Sequence, residues 1–169
     1  MSLVRRAVAG AFAGAVGTAA MDLLLYSRYR RDDGKDSFWR WESSGGVMTW
    51  DEASAPGQVG KKLEQLVTRR LPPDSWARAT TNLTHWATGM GWGIQYGALA
   101  PRTARHPRIG ALALGPAAWL SSYVLLPPLK VYKPIWAYDA RTLADDLSAH
   151  VVYGIATAAA FAALTGEKS

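Results

Sequence analysis

Long apolar segments alternate with charged ones along this chain, and four of the apolar segments have the length of a membrane span. They lie between Arg6 and Arg28, Arg78 and Arg102, Arg108 and Lys130, and Asp146 and Glu167. Only the first of them encloses a charged residue, Asp22. A helix needs about 20 mostly apolar residues to cross the hydrocarbon core of a bilayer. The pattern predicts a single all-α, polytopic membrane domain over residues 1–169, with spans at about 7–26, 79–99, 109–126 and 143–164.

The polar connection at residues 28–78 has two recognisable parts. Its first half carries an aromatic patch of Phe38, Trp39, Trp41 and Trp50, which we expect to anchor at the headgroup level. From Ala55 to Leu71, apolar residues recur on one helical face and basic residues lie elsewhere, until two prolines follow. This predicts an interfacial, basic amphipathic helix that lies on the membrane surface or caps the bundle.

Composition narrows the function classes. The chain has no cysteine, which excludes disulfides, thiolate metal sites and cysteine nucleophiles. Its net charge of +6 is spread over all the loops, which favours contact with lipid headgroups and not with nucleic acid. The apolar run after Arg6 extends to Leu25, which is longer than the apolar part of a usual secretory signal. We therefore expect an uncleaved first span and a location in the cell membrane.

Glycines recur at helical spacing in three of the predicted spans. The first span contains Gly10-x3-Gly14, and the second contains Gly89, Gly93 and Gly97 at intervals of four. In the fourth span, Gly154 follows His150 by the same interval. Small residues on one face let two membrane helices approach closely, so these six glycines are predicted helix-packing positions.

Two histidines at equivalent depths form the candidate site. In an up-down-up-down bundle, His85 and His150 each lie about 10 Å inside the same membrane face. Asp22 lies near that face, and Asp146 precedes His150 by one helical turn. The sequence thus predicts a polar cluster of these four residues. It could join helices, relay protons or ions, or bind a divalent metal. A bis-histidine haem is a further alternative, and neither cofactor is favoured.

Several segments resemble the YagU-type family of small bacterial inner-membrane proteins. The resemblance is carried by Pro134-Ile-Trp136-Ala-Tyr138, Asp145-Asp146, His150-Val-Val-Tyr153-Gly154, His85-x3-Gly89-x3-Gly93 and Tyr96-Gly97. It covers about a third of the chain and implies a polytopic inner-membrane protein with histidines in corresponding spans. A role in acid tolerance has been suggested for that family, and the resemblance supplies no catalytic residues. The long connection here departs from the family in its amphipathic helix.

The sequence predicts a non-enzymatic accessory subunit of a membrane assembly. The chain lacks a recognisable catalytic motif, and its glycine faces exceed what four helices need for packing against one another. The expected partners are the lipid bilayer and either other membrane subunits or a second copy of the chain. The alternative is a membrane protein that handles protons, small ions or a metal through its histidines and aspartates. A membrane enzyme that acts on lipid is a third hypothesis.

Overall fold

The structure, a computed structural model, describes residues 1–103 and 107–166, and within these ranges it contains helices and no strand. The all-α class is confirmed. The α-helices of the described residues are α1 (Leu3–Arg31), α2 (Phe38–Glu42), α3 (Ala55–Thr68), α4 (Ala77–Thr103), α5 (Pro107–Leu125) and α6 (Ala140–Thr165). Short 3₁₀ turns lie at Trp50–Glu52, Asp74–Trp76 and Ile135–Ala137.

Helix α1 is the centre of the bundle, because it packs extensively against both α4 and α6. Helix α5 packs on α6 and contacts α4 much less, which leaves space between α4 and α5. Helix α3 crosses the first turns of α4, where its buried Gly57 and Gly60 lie against threonines of α4. At the same end of the bundle, the Arg28 guanidinium of α1 donates to the Asp145 carbonyl oxygen and the Ser148 hydroxyl, both at 2.7 Å.

Helix boundaries differ from the predicted ones at their caps. Helix α6 begins earlier than residue 143, since Asp139 is its N-cap and accepts the Thr142 amide at 2.9 Å. Helix α3 ends at Thr68, before the predicted Leu71, because Arg69 adopts a left-handed conformation with φ of 56°.

Close contact between α1 and α4 depends on glycine. A methyl group added at Gly10 would collide with the Gly93 carbonyl oxygen, and one at Gly14 with the Gly89 carbonyl oxygen. Gly97 extends this row of contacts, which we call the glycine seam, since a methyl group added there would meet the Arg6 carbonyl oxygen. These positions therefore permit backbone-to-backbone packing.

Two further glycine contacts involve α6. Gly17 of α1 lies against Thr157 and Tyr153 of α6. Gly115 of α5 lies against the His150 carbonyl oxygen. Gly154, the sixth predicted packing position, is buried in α6.

Small residues fill the buried face of the central helix α1, and many large apolar residues of the bundle point outward. The buried positions of α1 are glycine, alanine, threonine and one aspartate. Exposed large apolar side chains occur on all four long helices, including Phe12, Leu83, Leu120 and Ile155. Within the described residues, α1 and α6 are long and apolar enough to span a membrane. In their most apolar 18-residue stretches, only 39% and 33% are buried inside the protein. Length and composition thus support two of the four predicted spans, while the four-span topology stays a prediction.

The aromatic patch divides into an exposed and a packed part. Trp39 is 76% exposed, as an interfacial anchor would be, whereas Trp41 packs near Tyr26 of α1 with ring centroids 5.5 Å apart. Trp50 is only 3% exposed, and its indole N–H donates to the Pro72 carbonyl oxygen at 2.9 Å. The anchor prediction is wrong for Trp50, which instead connects the segment before α3 with the segment before α4.

Candidate functional site

The first histidine–aspartate pair joins α1 to α4. Asp22 is 2% exposed, and both of its carboxylate oxygens lie 3.0 Å from Nε2 of His85. The two residues are 63 positions apart in the chain and meet because the glycine seam brings the helices together. A carboxylate held this far from water needs a partner, which His85 supplies.

The second pair lies within α6. Nδ1 of His150 is 2.9 Å from the Asp146 carbonyl oxygen and 3.3 Å from its carboxylate Oδ1. The other carboxylate oxygen accepts the Tyr123 hydroxyl at 2.9 Å, which ties the pair to α5. The predicted one-turn spacing between Asp146 and His150 therefore corresponds to a contact between the two residues.

The partners of each imidazole fix its neutral tautomer. Carboxylate and carbonyl oxygens only accept hydrogen bonds, so the ring nitrogen facing them must carry the proton. Neutral His85 is then protonated at Nε2 and neutral His150 at Nδ1. Over the part of the chain that the structure describes, the opposite nitrogens, Nδ1 of His85 and Nε2 of His150, have no hydrogen-bond partner. Each ring can therefore take up one further proton without losing its aspartate.

Both histidines line one cavity of about 560 Å³, enclosed by α1, α3, α4, α5 and α6. Helix α4 contributes a row of side chains from Thr84 to Gln95, which extends over about 16 Å at 1.5 Å per residue. The facing wall comes from α5, including Ser121 and Ser122, and most of the lining surface is apolar. This volume is typical of a site for a small organic ligand.

A second hollow, which we call the vestibule, adjoins the cavity at the end of the bundle where α2 and α3 lie. It measures about 510 Å³ and contains four carboxylates, Asp22, Asp36, Glu42 and Glu52, with Arg40 as a basic counterpart. His85, Ala55, Pro56 and Tyr132 line both spaces. His85 therefore lies at the boundary between the acidic vestibule and the cavity.

Two residues near this boundary have raised pKa values. Burial raises the pKa of the Glu42 carboxyl, and the nearby negative charge of Asp22 adds to the effect. Burial raises the pKa of the Tyr132 phenol to about 12, with a contribution from Asp146. Glu42 is therefore more easily protonated than an exposed glutamate, and Tyr132 stays neutral at physiological pH.

The four predicted site residues lie in two pairs. Within the described ranges there is no group of three histidine or acidic side chains with the spacing of a metal site. The two imidazoles alone fall short of the three or four protein ligands of a usual zinc site. The arrangement thus offers less to a metal than the predicted cluster did, and what it offers chemically is two titratable pairs on one cavity.

Three contributors to the site were missed in the sequence. Tyr123 fixes Asp146, Glu42 enters the vestibule from α2, and Tyr132 bridges the two spaces. Each reaches the site through tertiary packing and not through a spacing within one helix. The sequence signal available was weak: a lone glutamate in an aromatic segment and two tyrosines flanking the proline pair at residues 127–128.

Comparison of the chain with known protein families, with curated proteins and with solved structures finds no match. The resemblance to the YagU-type family therefore stays a prediction, and the function has to be argued from the geometry of the site.

Proposed function

We propose that the chain is an integral membrane protein that conducts protons across the bilayer by way of its acidic vestibule and a membrane-embedded cavity. In this proposal α1, α4, α5 and α6 cross the bilayer and α3 lies at its surface. The two histidine–aspartate pairs carry the protons.

The distribution of residue types supports the membrane placement. A water-soluble bundle buries most of its large apolar side chains. Here α1 buries glycine, alanine and threonine, and many leucine and valine side chains of the long helices are exposed, although Phe161 and Leu114 are buried. Exposed apolar surface over whole helices is expected where lipid covers it. On α3, Leu66 and Val67 are exposed. The same helix carries Lys61 and Lys62, which suits a helix lying among anionic headgroups.

One observation carries the proton-handling proposal: both imidazoles line one cavity while each is held by its own aspartate. An ionisable group at membrane depth is costly and is usually functional. Imidazole is the side chain whose ordinary pKa lies nearest physiological pH. His85 also lines the vestibule, so it can receive a proton there and present it to the cavity.

The accessory-subunit prediction has less support. It depends on glycine faces left over for partners, yet Gly10, Gly14, Gly89, Gly93 and Gly97 all lie at contacts within the chain. We retain a bacterial inner membrane as the proposed location on the basis of the YagU-type resemblance. The suggested role of that family in acid tolerance is compatible with proton exchange.

The test is proton flux in liposomes that contain the purified protein and an internal pH-sensitive dye. After an external acid step, we expect the wild type to dissipate the gradient faster than protein-free liposomes. His85→Gln should keep a hydrogen-bond donor for Asp22 yet cannot carry a proton. We expect it to reduce the flux by about 100-fold, the scale of a lost acid–base group.

Two variants serve as matched controls. Thr88→Val changes a cavity-lining residue that does not titrate, and Gly91→Ala lies on α4 with nothing within 4 Å of the added methyl. Both should keep the wild-type flux. Equal flux from wild type, His85→Gln and His150→Gln, or no flux above protein-free liposomes, would overturn the proposal.

A further inference from the structure

We propose that the cavity binds a hydrophobic amine in its ammonium form, with the N–H groups directed at acceptors of the cavity wall. This deepens the proposed function and rests on its membrane placement, because the apolar part of such a ligand would arrive from lipid. Three features of the site support this ligand: the hydrogen-bond capacity of the cavity wall, the charge of the vestibule and the apolar lining of the cavity.

The hydroxyl groups of the wall are largely used as donors already. Four of them donate to carbonyl oxygens of their own helix: Thr18 at 3.0 Å, Thr88 and Ser121 at 2.7 Å, and Ser122 at 3.3 Å. Tyr153 donates to the Gly89 carbonyl oxygen at 2.6 Å. Their oxygen lone pairs remain for a ligand.

The histidines add to this excess of acceptors. A neutral imidazole has one N–H, and each histidine donates it to an aspartate. The other ring nitrogen therefore presents a lone pair. Thr84, Tyr132 and Gln95 keep hydrogen atoms to donate, but each can also accept. The Trp92 indole N–H is a lining group that only donates. A ligand complementary to this wall therefore brings hydrogen-bond donors, and a ligand that has only acceptors would leave most of the wall unmatched.

The carboxylates of the vestibule determine whether an ammonium group or an uncharged alcohol is the better ligand. Asp36 is neutralised by Arg40 at 2.9 Å, but Glu42 and Glu52 have no cation paired with them within the described residues. One carboxylate oxygen of Glu42 is buried and lacks a hydrogen bond there. Carboxylates that line a hollow raise the local concentration of cations. The vestibule thus favours a cation in the adjoining cavity.

The apolar lining accommodates the hydrocarbon part of the ligand. Met21, Val59, Trp92 and Leu125 contribute to it. Trp92 also offers an aromatic face, and aromatic faces attract ammonium groups. The cavity lies between α4 and α5, which contact each other little, and we place the entry of the ligand from lipid there.

The test compares three probes of one chain length: decylammonium, decyltrimethylammonium and decanol. Saturable binding is measured by tryptophan fluorescence at about pH 8, where free imidazoles are mostly neutral and alkylamines are charged. The protein is held in lipid nanodiscs, and empty nanodiscs correct for partitioning. We expect decylammonium to bind at least about tenfold more tightly than decyltrimethylammonium, since the latter has the charge and the chain but no N–H donor.

The variants locate the site. His150→Phe should reduce the preference for decylammonium over decyltrimethylammonium, because it removes one of several acceptors of the wall, whereas Gly91→Ala should retain it. Equal binding of the two cations, or decanol binding as tightly as decylammonium, would overturn the inference. Absence of saturable binding together with normal proton flux would overturn it and leave the proposed function standing. Selective amine binding without proton flux would overturn the proposed function and leave the inference about the amine standing.

Discussion

Substitution of alanine for Gly93 tests the packing that brings Asp22 to His85. A methyl group there would meet the Gly10 carbonyl oxygen and the backbone of Gly14, and backbone atoms cannot move aside as a side chain can. Overpacking typically costs 1–3 kcal/mol, and we take about 3 kcal/mol because backbone blocks the methyl. The gain in helix propensity from glycine to alanine is about 1 kcal/mol. The expected net loss of unfolding free energy is about 2 kcal/mol.

Gly91→Ala is the matched control for this prediction. It lies two residues away on the same helix, and the added methyl would meet nothing within 4 Å. Only the propensity gain applies, so the variant should match the wild type or exceed its stability by up to about 1 kcal/mol. The assay is unfolding by SDS in mixed micelles, followed by circular dichroism at 222 nm. Equal stability of the Gly93→Ala and Gly91→Ala variants would refute the packing of α1 on α4.

Three further variants test individual contacts by the same unfolding assay. Asp22→Asn replaces a charge-assisted hydrogen bond to His85 by a neutral one and should cost about 1 kcal/mol; an unchanged stability would contradict the pair. Trp50→Phe removes the indole N–H bonded to the Pro72 carbonyl oxygen and shrinks a buried ring, so it should cost at least about 1 kcal/mol; an unchanged stability would contradict the buried position of Trp50. Hydrogen bonds from the backbone amides of Met48 and Thr49 lower the pKa of Glu52 below its ordinary 4.5. Its stabilisation is present above that pH and is lost as pH falls through the lowered pKa, so the deficit of Glu52→Gln should shrink in acid. A deficit independent of pH would contradict this assignment.

Helix positions could be predicted from the sequence because their signals are local. The absence of charge between Arg78 and Arg102 is enough to place α4, and the pattern of α3 fixes its start at Ala55. The contact of Asp146 with His150 follows from their spacing of one turn. These features depend on the period of a single helix.

The partners of these groups could not be predicted, since they depend on how helices pack. Counting residues places Asp22 and His85 at one end of the bundle, but their contact requires α1 and α4 to meet along the glycine seam. The separation into two pairs depends on the packing of α1 on α4 and of α5 on α6, and the position of His85 between two hollows depends on how α3 packs on α4. Trp50 was expected at the membrane surface because side-chain type alone does not distinguish an anchor from a buried indole.

The central claim, that two imidazoles on one cavity exchange protons while held by their own aspartates, is tested most directly by ¹⁵N NMR. The protein would be labelled at the histidine ring nitrogens, reconstituted in lipid bilayers and titrated from about pH 5 to pH 9. The account predicts that His85 and His150 both titrate and that their neutral forms are opposite tautomers, Nε2–H for His85 and Nδ1–H for His150. Signals that do not titrate, or the same neutral tautomer for both rings, would contradict it.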